Sequence, residues 1–116
     1  MTRGIVLPAS RERVWRALTS LELLAGWLGE VIELEQRAGG AVVVREADGS
    51  IRRGLVERVE HGRTLVLRWR RLHGRGGSLE VGEATRVAFE LESEGAGTRL
   101  TVTEEPTLTV AAGAGS

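Results

Sequence analysis

The chain has 116 residues, 41% hydrophobic and 28% charged, the length of one domain with a single core and an ordinary globular composition. Its 16 basic and 16 acidic residues cancel, so no global field draws it to nucleic acid or to an anionic membrane. Cysteine is absent, which excludes disulfides, thiol nucleophiles and thiolate metal sites. Every basic residue is Arg, and Lys, Asn and Tyr are also missing. That bias fits GC-rich coding better than adaptation to heat, whose usual signature includes Lys. There is neither a charged-then-apolar leader nor an apolar run of about eighteen residues, so a cytoplasmic location is expected.

In chain order, Gly4 to Leu7 read as a short strand closed by Pro8, which cannot donate to a ladder. Ser10 is placed to cap a helix, although Arg13 stands where a full capping box needs Glu or Gln. Val14 and Leu18 are four apart and Trp15 and Leu18 three apart, which makes one helix face apolar. Thr19-Ser20 breaks that helix, and Leu21, Leu24 and Leu28 restart the spacing around Trp27 as a second short helix.

Beyond Trp27 the pattern becomes alternation. Glu30 to Gln36 sets Ile32 and Leu34 against Glu33 and Glu35, a half-buried strand. Ala38-Gly39-Gly40 turns into a strand from Ala41 to Glu46, and Asp48-Gly49 marks a tight hairpin. Ile51 to Glu60 is a longer strand in which Gly54 marks a bulge or a close approach. His61-Gly62-Arg63 returns the chain into Thr64 to Arg71, with Leu65, Leu67 and Trp69 on one face. Gly74 to Gly77 reads as a mobile loop. Arg86 to Glu92 and Thr98 to Glu104 complete the meander, with Val87, Phe89 and Leu91 facing the same way as Leu100 and Val102. A helical clamp followed by antiparallel strands is an α+β domain over residues 1–106, with 107–116 as a tail that extends a strand and ends like a linker.

Pro8-Ala9-Ser10 leading into Val14-Trp15-Arg16-Ala17-Leu18, then a short helix closing on Trp27, resembles the opening of the START-like (SRPBCC) superfamily. Gly39-Gly40, Gly54-Leu55-Val56, Leu65 to Trp69 and Gly97 to Glu104 follow in the matching order over nearly the whole chain. Within the superfamily the sequence is most similar to the family of the C-terminal domain of the activator of Hsp90 ATPase. The resemblance implies a helix-grip fold: a curved antiparallel sheet, two short N-terminal helices, and a long C-terminal helix with a cavity between it and the sheet. This sequence departs from the pattern, because nothing after Glu105-Pro106 reads as that long helix. Covering a large apolar side chain is worth roughly 1.5–3 kcal/mol, so the concave face needs a cover. A second copy, the tail, or a further part of a longer protein would serve, and self-association through that face is the expectation.

Most polar candidates have bland explanations. The basic run Arg68 to Arg75 places Arg68 and Arg70 opposite Trp69 rather than beside it, with Glu57, Glu60, Glu90 and Glu92 on nearby strands. A charge-paired sheet surface explains it better than a nucleic-acid reader. Gly74 to Gly77 lacks the following helix and the Lys-Ser/Thr step of a phosphate loop. The resemblance makes it a rim loop at the cavity. His61 and His73 lack a third ligand at recognisable spacing, and the serines read as caps, turns and strand ends, so no metal, cofactor or nucleophile is expected. If Leu55 and Val59 face the cavity, alternation brings Arg53 and Glu57 with them, and Arg71 joins if Leu67 and Trp69 face inward. A bulge at Gly54 would shift the register and expose all three, the outcome that glycine favours. The expected cavity lining is Trp15, Trp27, Leu34, Arg53, Leu55, Glu57, Leu67, Trp69, Arg71, Phe89, Leu91 and Leu100.

The favoured function is a non-catalytic binding domain that holds a small hydrophobic ligand between sheet and helices, completed by self-association as a homodimer. The resemblance also allows a chaperone-associated interaction domain or an enzyme like the polyketide cyclases and aromatases. Catalysis is the weaker option, because Tyr is absent and convincing interior acid–base pairs are scarce. Neither nucleic acid nor a membrane is an expected partner.

Overall fold

The computed structural model describes residues 1–20, 30–75 and 78–107. Strand β1 (Thr2–Leu7) leads into helix α1 (Arg11–Leu18), and six strands follow: β2 (Glu30–Leu34), β3 (Ala41–Arg45), β4 (Ile51–Glu60), β5 (Thr64–Arg75), β6 (Ser78–Glu94) and β7 (Gly97–Pro106). All neighbours pair antiparallel in one seven-stranded sheet of order β1-β7-β6-β5-β4-β3-β2. Each strand from β2 to β7 pairs with the next in the chain, and β1 closes onto β7 at the far edge. This is the α+β architecture expected. The second helix expected around Trp27 falls outside the described residues. Among the described residues no helix follows β7, and none is long and apolar enough to cross a membrane.

Helix α1 begins as its sequence dictates. The Ser10 hydroxyl accepts from the Arg13 amide at 3.2 Å, Glu12 sits in the positive first turn and Arg16 in the negative last one. Thr19 ends the helix, its hydroxyl donating to the Trp15 carbonyl at 2.9 Å. Val14, Trp15 and Leu18 are buried, and the helix packs on β6 and β7. Buried Thr98 holds it there by donating to the Ala9 carbonyl at 2.8 Å, so the link between β1 and α1 is fixed to β7.

The turns carry the backbone their glycines permit. Gly39, Gly49, Gly62 and Gly95 have positive φ, the region that a Cβ penalises, and each lies between two antiparallel strands. Two sequence expectations change. The ribbon of β5 and β6 continues past Arg71, pairing Gly74 with Leu79 and Arg75 with Ser78. Gly74 is therefore strand rather than loop, while Gly76 and Gly77 lie outside the described residues. On β2 the alternation is broken, since Val31 opposes Val44 and Leu34 opposes Val42 with one residue too many between them. Ile32, expected beside Leu34, is 45% exposed as a result.

Residues paired across an antiparallel sheet share a face, so the core face follows from the register. It carries Ile5 and Leu7 of β1, Leu100 and Val102 of β7, Val87, Phe89 and Leu91 of β6, and Leu65, Leu67 and Trp69 of β5. Gly54 and Val56 of β4 and Val42 and Val44 of β3 extend it to the other side. With Val14, Trp15 and Leu18, all of these but exposed Ile5 and Gly54, which has no side chain, form one continuous core.

Candidate functional site

Among the described residues, part of the core face beside β1 and β7 forms a groove. The groove, of about 760 Å³, is walled by Ile5, Val87, Phe89, Leu100 and Val102, with Met1, Arg3 and Gly4 along its rim. At one end stand Arg52 and Glu104. Both also line an adjoining recess of about 300 Å³ formed with Trp69, Arg71, His73, Gly82, Glu83 and Thr85. The site is thus an apolar trough with a polar end. Its volume lies within the roughly 300–1,000 Å³ of small-molecule sites.

The polar end is an ion-pair network centred on Glu46. Arg71 donates to both Glu46 oxygens, from Nε at 2.6 Å and from Nη2 at 3.0 Å, a two-pronged geometry. Arg52 donates from Nε to the same carboxylate at 3.1 Å and reaches Glu104 from Nη1 at 3.4 Å. Its guanidinium also lies over the Trp69 ring, 5.1 Å from the centroid, where the ring quadrupole attracts a cation. Trp69 Nε1 is buried and meets no acceptor among the described residues.

Burial raises the Glu46 carboxyl, but hydrogen bonds from Arg71 and Arg52 and their charges outweigh it and hold the pKa below the ordinary value. A depressed carboxylate pKa contributes stability that is present above the unfolded value, about 4.3, and is lost as pH falls through the folded one. Glu46→Gln should therefore cost about 1–3 kcal/mol at pH 7 by leaving two guanidinium groups under-satisfied. Thermal melts from pH 7 to 3 should show the gap from wild type shrinking on acidification; a gap independent of pH would reject the assignment.

Ser50 and His73 form a pair that the sequence reading treats as unrelated turn residues. The Ser50 hydroxyl lies 2.9 Å from His73 Nδ1, and its backbone N–H donates to Asp48 Oδ1 at 2.8 Å. The β4–β5 register that pairs Ile51 with Leu72 carries on to these two side chains. The spacing suits a nucleophile and its base, yet Ser50 is 5% exposed and lines neither the trough nor the recess. The bond satisfies a buried hydroxyl. His61 lies 3.3 Å from Glu12 and edge-on to Trp15, joining the β4–β5 turn to α1. Among the described residues no three His, Asp or Glu side chains are grouped to hold a metal ion.

Trp15, Leu67, Trp69, Phe89, Leu91 and Leu100 are all buried in the core, and Leu34 packs against it half-buried. Of these, Phe89 and Leu100 also wall the trough, and Trp69 joins Arg71 in the recess. Arg53, Leu55 and Glu57 are placed differently from the expectation. Pairing of Arg53 with Val43 and Arg70, and of Leu55 with Ala41 and Arg68, puts them on the opposite face. The bulge comes after Val56 rather than at Gly54, so Val59 returns to the core side while Glu57 stays outside. There Glu57 accepts from Arg86 at 2.9 Å and lies 3.6 Å from Arg68, which pairs part of the basic run on the sheet surface. Trp27 lies outside the described residues. The sequence reading missed Ile5, Arg52, Glu46 and Glu104 as site residues. Fixing the register of β4 one residue earlier would have found Arg52.

Residues 8–114 match the family described as Activator of Hsp90 ATPase homolog 1-like protein. The chain belongs to that family. Solved structures agree on the fold. DynU16, a protein of the dynemicin biosynthetic locus, is 26% identical with a TM-score of 0.73 over 91% of this chain. The present chain spans only 36% of DynU16. The Mll3558 protein from Rhizobium loti is 24% identical with a TM-score of 0.72, covering 91% of this chain and 76% of its own. Protein MLL2253 from Mesorhizobium loti is 23% identical with a TM-score of 0.74, covering 92% and 77%. No curated protein matches the sequence.

Proposed function

We infer that this family member is a non-catalytic binding domain whose trough holds a small hydrophobic molecule. The observation that supports the reading is an apolar groove on the core face among the described residues. Phe89 and Leu100 are about 1% exposed, yet they form the floor of a trough whose wall residue Ile5 is 46% exposed. An apolar occupant gains roughly 25 cal/mol for every Å² of such surface it removes from water.

Titration with the neutral fluorophore N-phenyl-1-naphthylamine tests this. Emission enhancement that saturates at one equivalent is the expected result. Ile5→Asp, on the trough wall, should weaken binding about tenfold or more, the worth of one large apolar contact. Leu55→Asp is the matched control: Leu55 is 43% exposed on the opposite face, and its replacement should leave affinity unchanged. Absence of saturable binding would reject the reading. A second copy of the chain laid over the same face is the competing occupant. Native mass spectrometry separates the two, since a monomer retaining added small-molecule mass supports the binding domain and a ligand-free dimer supports self-association.

A further inference from the structure

The trough and its polar recess meet at two oppositely charged side chains, and what they leave unsatisfied specifies the head of the ligand. Arg71 and Glu46 form a two-pronged pair. Arg52 turns both Nε and Nη2 toward Glu46, at 3.1 and 3.0 Å, and makes only a long 3.4 Å contact from Nη1 to Glu104, so N–H capacity remains on Nη1 beside Glu104. Glu104 is 32% exposed and receives that single long side-chain bond among the described residues. A donor and an acceptor of high strength therefore stand side by side at the end of an apolar trough. We propose that the site takes a neutral amphiphile, an apolar body carrying one hydroxyl or amide group, with that group accepting from Arg52 and donating to Glu104.

Charge excludes the ionic alternatives. The trough and recess together present the N-terminal amine, Arg3, Arg52 and Arg71 against Glu83 and Glu104, with Glu46 paired to Arg52 and Arg71 outside the lining. An incoming carboxylate finds both inner guanidinium groups engaged by carboxylates, with Glu83 and Glu104 repelling it. An incoming ammonium meets Arg3 and Arg52. The N-terminal amine and Arg3 stand on the rim, so at the polar end either ion surrenders its hydration without a free counter-charge, a cost that a hydroxyl avoids. Trp69, under the Arg52 guanidinium, keeps that side chain from swinging away to serve as a free anion site.

The inference rests on the trough reading above, and one displacement series separates its failure from the failure of that reading. The full chain, loaded with N-phenyl-1-naphthylamine, is titrated at pH 7.4 with decanol, its isomer nonyl methyl ether, decanoate and decylamine. The ether has the same atoms as the alcohol and accepts without donating, so apolarity alone ranks it above decanol. Decanol should displace the probe at roughly tenfold lower concentration than the ether, the size of one hydrogen bond to a charged group, and should also surpass both ions. Glu104→Leu should abolish the advantage of decanol over the ether, both read against that variant's own probe affinity. Decanoate or decylamine binding as well as decanol would overturn the neutral-head assignment, and so would an ether equal to the alcohol in the wild-type protein. Both outcomes leave the trough intact. Failure of the probe itself to bind rejects the trough, and the head-group assignment falls with it.

Discussion

Phe89→Ala should lower stability by about 3–5 kcal/mol, a large share of the roughly 5–15 kcal/mol that holds a domain folded. Phe89 is 1% exposed in the interior strand β6, paired with Leu65 on one side and Val102 on the other. Its removal costs the transfer energy of the ring and leaves a cavity that flanking strands cannot close without giving up ladder bonds. Urea denaturation should show a lower midpoint with an unchanged slope. The variant also tests the identity of core and site, because the same ring floors the trough. A probe that binds the native state offsets part of the loss by mass action, so saturating N-phenyl-1-naphthylamine should raise the midpoint of the wild type. Phe89→Leu, which keeps most of the volume, should lose much less stability.

The sequence contained most of the sheet because its strands obey a two-residue period and its turns carry glycine where positive φ is required. Leu65, Leu67 and Trp69 could be assigned to one face, and so could Val87, Phe89 and Leu91, without knowing any neighbour. Period-two reasoning fails where a strand gains a residue. The extra residue near Ile32 exposes that side chain, and the one between Val56 and Arg58 lets Leu55 and Val59 lie on opposite faces despite their even spacing. Nothing in the composition of Glu57 marks a bulge, whereas Gly54 drew the suspicion and turned out regular. The residue-by-residue consequence is a swap of Arg53 for Arg52 at the site.

The polar end was hidden for a different reason. Glu46, Arg52, Arg71 and Glu104 come from four separate segments, and each alone reads as an unremarkable surface charge. Their meeting depends on β3, β4, β5 and β7 presenting the same face at one end of the sheet, which is tertiary information. Ser50 and His73 were obscured likewise, 23 residues apart and joined only through the β4–β5 pairing. Electrostatic reading of the sequence gave a neutral total, and the structure shows how that neutrality is distributed: outward in the Glu57–Arg86–Arg68 cluster, inward in the Glu46 network.

Gly54→Ala should destabilise the protein by up to about 3 kcal/mol, the upper end of overpacking penalties, although the same substitution at a compatible site stabilises by roughly 0.4–1 kcal/mol. Gly54 lies on the core face between Val42 of β3 and Trp69 of β5. A Cβ there would run into the Arg68 carbonyl oxygen and sit 2.6 Å from Trp69 Cα, both of them backbone that cannot rotate away. The collision forces β4 off β5 at the point where Arg52 begins its contacts with Trp69, Glu46 and Glu104. Loss of probe affinity should therefore accompany loss of stability. Gly74, on β5 of the same sheet, supplies the comparison: a Cβ there meets nothing within 4 Å, and its φ carries no left-handed requirement. Gly74→Ala should be neutral or slightly stabilising in the same denaturation experiment. Opposite signs for one chemical change at two strand glycines would establish that Gly54 is required for close approach of the two strands and not for flexibility; equal effects would refute it.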